Sequence, residues 1–211
     1  MHAKVVVSSL IVSLGLAGGV LTACKTPTEK AESRAMSSLK DFRSELSKMN
    51  PQIDKVMNAL QKTVAGDNPN PSASFRDFKD QFGTMQKHAK RVAREADDAT
   101  SGAENYFQKF SKEIQEERNA DEQARARDTA ASQRMNYDAF AETLRNGKRN
   151  YMDLVASLSD IQAKLEGGIN AQSISAINPS YSRATDNAIS TKGAVNSMID
   201  AINKAVAGRA K

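Results

Sequence analysis

From Phe75 to Phe110 the seam residues fall three and four positions apart in strict alternation. The set is Phe75, Phe78, Phe82, Met85, Ala89, Val92, Ala96, Ala99, Ala103, Tyr106 and Phe110. A three-then-four repeat averages about 3.5 residues, which keeps one stripe of a helix turned toward a partner for many turns. A strand alternates faces every second residue and cannot gather these positions on one side. Three more runs behave the same way: Met36 to Val64, Tyr137 to Leu165, and Ile174 to Val206. The fold expected is therefore all-α, an elongated antiparallel helical bundle or coiled coil of four long helices.

Small residues tune the spacing of the partners. Ala96, Ala99 and Ala103 predict that the second helix is approached most closely there, and Gly147 does the same for the third, at a cost in helix propensity. Lys192 falls in a seam position of the last run and is expected at the rim, its stem covering apolar surface. Aromatic residues are 5% of the chain and Trp is absent, so the seam is narrow rather than a thick globular core.

Breakers divide the runs. Residues 66–72, Gly-Asp-Asn-Pro-Asn-Pro-Ser, must form a loop, and Gly167-Gly168 stops the third helix with Asn170 placed to cap the fourth. At Asn50-Pro51 the first run either kinks or restarts along the same axis, with Asn50 as cap and Pro51 in the first turn. Asn178-Pro179 is expected to interrupt the last run similarly. The charged stretch Lys112 to Arg134 holds no Gly or Pro. Either it turns near Asn119-Ala120-Asp121, with Asp121 as cap and an up-down-up-down topology, or it continues as one solvated helix.

The chain opens with Lys4, an apolar stretch from Val5 to Val20, and then Leu21-Thr22-Ala23-Cys24. A basic residue, a short apolar core and a small-residue exit describe an export signal. The core, carrying three serines, is shorter than the ~20 residues of a spanning helix. Leu-x-Ala-Cys resembles a bacterial lipobox, which implies cleavage before Cys24, acylation of its sulfur and no other cofactor. Cys24 is the chain's single cysteine, so a disulfide within the chain is excluded. Lys25 follows where Gram-negative sorting reads an Asp as retention, and that resemblance implies the periplasmic side of the outer membrane. The domain reading is a signal over 1–23, a membrane-proximal tether over 24–34 and the bundle over 35–211. Only Lys4 leaves with the signal, so the net charge of +5 becomes +4. That mild, mixed balance does not suit a nucleic-acid partner.

Over residues 40–206 the chain resembles domain-of-unknown-function family twenty-nine fifty-nine, an uncharacterised family of bacterial exported proteins. The likeness rests on the Phe75-to-Phe82 helix start and the segment from Tyr106 to Ile114. It also rests on the charged stretch leading to Tyr137, and on Ile169-Asn170-Ala171-Gln172-Ser173-Ile174. Ala124-Arg125-Ala126-Arg127 stands where the family's Arg-rich segment follows a Leu, so that apolar anchor is weaker here. The resemblance implies a helical exported protein and supplies no activity or site.

Nothing in the sequence assembles catalytic chemistry. Once His2 leaves with the signal, His88 is the remaining histidine, beside the seam and among cations that disfavour its charged form. Without a second His or a Cys, the usual zinc sets cannot form, so no metal is expected. Neighbouring carboxylates such as Asp97-Asp98 diverge on a helix. Lys87, Lys90, Arg91 and Arg94 form a basic stripe suited to an anionic surface, its plain alternative being a solvated helix face. Lys211 at the end of the chain resembles the terminal lysine of small outer-membrane lipoproteins crosslinked to peptidoglycan, which implies its ε-amine as a point of attachment to the wall. The function expected is a non-enzymatic structural or interaction role at the cell envelope, with another envelope protein as partner and oligomers open through the heptad seams. The charged stretch 112–134 is the expected working surface, as the end far from the lipid. The alternatives are an outer-membrane-to-wall tether through Lys211 and a carrier of an apolar ligand.

Overall fold

The computed structural model describes residues 26–207. Five helical segments form four rods: α1 (Pro27–Leu46) with α2 (Met49–Val64), then α3 (Pro71–Glu116), α4 (Ala120–Glu166) and α5 (Ala171–Ala207). The α1–α2 rod packs along α3, and α4 packs along α5. α3 also meets α4, and α5 meets both α1 and α2. No backbone approach joins α4 to the α1–α2 rod, or α3 to α5, so the rods stand at the corners of a square with up-down-up-down connections. Side chains bridge one diagonal, where Phe42 meets Phe140 edge-on at 6.3 Å. None of the described helices is long and apolar enough to cross a membrane.

Each rod begins on a side-chain cap. Thr26 and Glu29 form a reciprocal capping box ahead of Pro27, which brings helix into residues 27–34, expected as a polar tether. Asn70 caps α3 with Pro71 as its first residue, so the loop ends sooner than the Pro-rich pattern suggests. Asn119, not Asp121, caps α4 by accepting from the amides of Asp121 and Glu122. Asn170 accepts from the amides of Gln172 and Ser173, and its own amide donates to the Ser173 hydroxyl oxygen at 2.9 Å.

The two prolines inside the runs behave differently. Pro51 has no amide for the Ser47 carbonyl and its ring crowds that group. The rod breaks at Ser47-Lys48, one turn earlier than expected, and Asn50 does not cap; it donates to Asn196 at 2.8 Å. Pro179 sits within α5 without ending it, because Ile177, Ser180 and Ala184 are all buried and hold both turns against the bundle.

The largest core cluster lies toward the loops at residues 65–70 and 167–170. Phe75, Phe78 and Phe82 of α3 meet there with Ile53, Val56 and Leu60 of α2, Leu154 to Leu165 of α4, and Ile177 of α5. A second cluster around Phe42, Leu46, Ala96, Ala99 and Ile202 fills the middle. Beyond it a small group of Ala31, Ala35 and Tyr106, backed by Phe107 and Phe110, joins α1 to α3 alone. Closest approach falls where small residues predict it, with Gly102 set directly against the Ala35 backbone. Lys192 is at the rim, paired with Asp54 at 2.6 Å, while Thr191 takes the buried place beside it.

Candidate functional site at the charged end of the bundle

The topology puts the start of α1, the end of α3, the start of α4 and the described end of α5 at one end of the molecule. Tyr106 donates to Gln133 at 2.8 Å, and Gln123 reaches back to the Ile114 carbonyl at 2.9 Å, so α3 and α4 run together to their turn. Opposite Pro27 stand Asn105 and Lys109 of α3. The seven residues that follow Lys109, up to Glu116, therefore carry the charged hairpin roughly 10 Å past the start of α1. The segment expected far from the N-terminus sits instead at the N-terminal end. With four antiparallel rods, the turn between the second and the third returns to the end where the first begins.

Aromatic rings and one guanidinium stiffen the hairpin base. Arg134 pairs with Glu104 at 3.1 Å and Asp138 at 3.3 Å, and lies over the rings of Phe107 and Tyr137 at 5.4 and 5.2 Å. Phe107 and Tyr137 meet edge-on. Burial pushes the Tyr106 phenol up from its ordinary pKa, so it serves as a neutral donor. These groups position the hairpin.

Beside this base, a cleft of about 280 Å³ opens between α1 and α3, lined by Pro27, Lys30, Ala31, Arg34, Asn105 and Lys109. A tether over 24–34 leaves no helix face to present Lys30 and Arg34, so these residues are not evident from the seam pattern. The signal that finds them is the capping box Thr26-x-x-Glu29 with Pro27 in its first helical position. The basic stripe chosen from sequence, Lys87, Lys90, Arg91 and Arg94, lies on the exposed face of α3 near mid-rod, with Arg91 drawn to Glu45 at 3.7 Å. Cys24 and Lys211 lie outside the described residues, as does the signal segment. The direction of α5 brings the chain back toward the end where α1 begins.

His88 is more than a neighbour of the seam. It is buried at 3% exposure, and its Nε2 lies 3.1 Å from Glu45 Oε2, at the last turn of α1 before the break. Lys48 and Arg91 complete the cluster around that carboxylate. Burial holds the imidazole below its ordinary pKa; the Glu45 carboxylate works against that and Arg91 adds to it. The hydrogen bond from Lys48 leads in lowering Glu45, followed among the charges by Lys48, His88 and Arg91. When pH falls through about 6.5, the unfolded chain takes up the imidazole proton before the folded one does. Stability should therefore be undiminished by His88 above that pH and fall below it, until the folded-state pKa is passed. Glu45 adds a second loss below its own unfolded value near 4.5. An NMR titration should place the His88 midpoint under 6.5, and lower still in Glu45→Gln. A wild-type midpoint at or above 6.5 contradicts this account.

Among the described residues no group of three or more His, Cys, Asp or Glu is arranged to hold a metal ion. A family model described as protein of unknown function (DUF2959) matches residues 29–210. No curated protein and no solved structure matches the chain.

Proposed function

The chain belongs to the DUF2959 family, proteins of unknown function, and on that footing we propose that it is a non-enzymatic envelope lipoprotein whose acylated Cys24 holds a helical bundle at a membrane. The observation that carries the reading is the run Leu21-Thr22-Ala23-Cys24 standing three residues ahead of the first helix. Two or three acyl chains make a stable anchor, at about 0.8 kcal/mol per buried CH₂. A three-residue connection reaches at most about 11 Å. The end bearing the hairpin and the cleft is then at headgroup depth, facing the periplasm from the outer membrane.

The opposite end, with the loops at 65–70 and 167–170, stands away from the bilayer by about the length of α3. Forty-six residues give roughly 70 Å. That reach suits a spacer or scaffold that meets another envelope protein along its sides or at its far end. The charged hairpin is no longer the favoured contact for such a partner, since it shares the anchored end. A wall tether through Lys211 is disfavoured because α5 runs back toward the same end. An apolar carrier is disfavoured by the buried small residues Ala96 and Ala99 in the middle of the bundle and by the contact of Gly102 with Ala35 beyond them.

Mass spectrometry of the protein from its native membrane tests the anchor. The expected species begins at Cys24 and carries the added mass of its acyl chains. A chain that retains Met1, or that starts at an unmodified Cys24, rules the reading out.

A further inference from the structure

We propose that the cleft between the start of α1 and the last turns of α3 binds the phosphate of an anionic phospholipid headgroup, an assignment that rests on the anchoring reading above. Lys30 and Arg34 stand one turn apart on α1, and Asn105 and Lys109 stand one turn apart on α3, so two pairs of polar side chains face one opening. Three cations thus share a cleft of about 280 Å³, and none of them forms an ion pair with a described residue. The acidic neighbours on α1 are engaged by other groups: Glu29 accepts from the Thr26 amide at 2.8 Å, and Glu32 has a partner. Other exposed cations of the bundle are likewise without an ion pair among the described residues, Lys87, Lys90 and Arg94 included; what sets these three apart is that two rods bring them to one opening. Like charges gathered at one opening invite an anion, and tetrahedral phosphate accepts from several donors at once.

Position selects the source of that phosphate. With Cys24 acylated, the chain from Cys24 to Pro27 keeps the cleft within about 11 Å of the headgroup layer. The surface potential of anionic lipid fades over a Debye length of about 8–10 Å. Lys109 is therefore within its range. Arg94, the member of the mid-rod stripe nearest the anchored end, lies fifteen residues up α3, roughly 22 Å farther along an upright bundle. The stripe that looks best in sequence is out of reach, and the cleft that sequence hides is within it.

The test uses the whole mature chain, residues 24–211, made without the signal and so without acyl groups; with no anchor to favour position, only the convergence of cations from two rods can set the cleft apart from the stripe. Binding is measured to vesicles of phosphatidylcholine alone and of phosphatidylcholine mixed with phosphatidylglycerol. Binding is expected to the mixed vesicles only. Each cation at an anionic surface is worth about fivefold in partitioning, so Lys30→Gln/Arg34→Gln/Lys109→Gln should weaken it roughly a hundredfold. The control Lys87→Gln/Lys90→Gln/Arg94→Gln removes the same charge and should change binding by less than about twofold. All six side chains are exposed, and circular dichroism checks that both variants keep their helix. Equal losses in the two variants would mean that net charge alone acts, and the site is overturned. Inorganic phosphate, added during NMR of the lysine and arginine side chains, separates the sources. Shifts at Lys30, Arg34 and Lys109 without vesicle binding would assign the cleft to a soluble phosphate and overturn the lipid. Neither response would overturn the site itself. Acylation of Cys24 is read separately by mass, so either conclusion can fail while the other stands.

Discussion

Phe78→Ala is expected to lower the stability of the bundle by about 3–5 kcal/mol, the range for emptying a fully buried aromatic position. Phe78 has no exposed surface and lies between Phe75 and Phe82, with ring centroids 6.1 and 5.9 Å away. Its cluster draws residues from α2, α3, α4 and α5, so one lost ring loosens four walls at once. Few aromatic residues are available to take up the slack, because they are 5% of the chain. For a domain of this size the loss corresponds to a fall in Tm of roughly 10 °C. Met135→Ala is the matched control, since that side chain is 74% exposed and should change stability by no more than about 0.5 kcal/mol. Urea unfolding of the three proteins decides the matter. If Phe78→Ala cost less than about 1 kcal/mol with an unchanged slope, the loop-end cluster would not be the core described above.

Why some features were legible in the chain and others were not follows from what periodicity reports. A three-four repeat gives the stripe that faces inward, and Phe75, Phe78, Phe82, Met85, Ala96 and Ala99 are all buried as it requires. In a square bundle each rod touches two neighbours, so the buried stripe is wider than one heptad seam. His88 and Ser180 therefore enter the core one position away from Ala89 and Tyr181, each satisfied by a carboxylate from a neighbouring rod. Periodicity is silent about such cross-rod partners, because Glu45 and Asp160 look like ordinary surface residues in sequence. It is silent too about which end of the bundle a charged stretch occupies, which only the antiparallel count of rods decides. The cleft was hidden for a third reason. Lys30 and Arg34 precede the first large apolar residue, and polar helix without a seam reads as linker unless its cap is recognised.

Gly102→Leu should separate α1 from α3 and cost roughly 1–3 kcal/mol, the usual range for overpacking a close contact. A Cβ at Gly102 would lie 3.2 Å from the Ala35 Cα, and backbone cannot step aside without moving the helix. Gly147 provides the comparison that distance alone would get wrong. A Cβ there would come nearer, at 2.8 Å, but to the methyl end of Met198, which can rotate away. Gly147→Ala also gains about 1 kcal/mol of helix propensity, so it should be neutral or stabilising. The Gly102→Leu loss should be local as well. Ala31, Ala35 and Tyr106 form a cluster separate from the two larger ones, so hydrogen exchange should speed up in residues 28–38 and remain slow in the paired stretches of α4 and α5. That region holds two of the three cleft cations on α1, so the same substitution should also weaken binding to anionic vesicles with Lys30, Arg34 and Lys109 all intact. Uniformly faster exchange along all four rods would mean that the anchored end is not an independent unit. Unchanged exchange in α1 would mean that the backbone contact at Ala35 does not hold it in place.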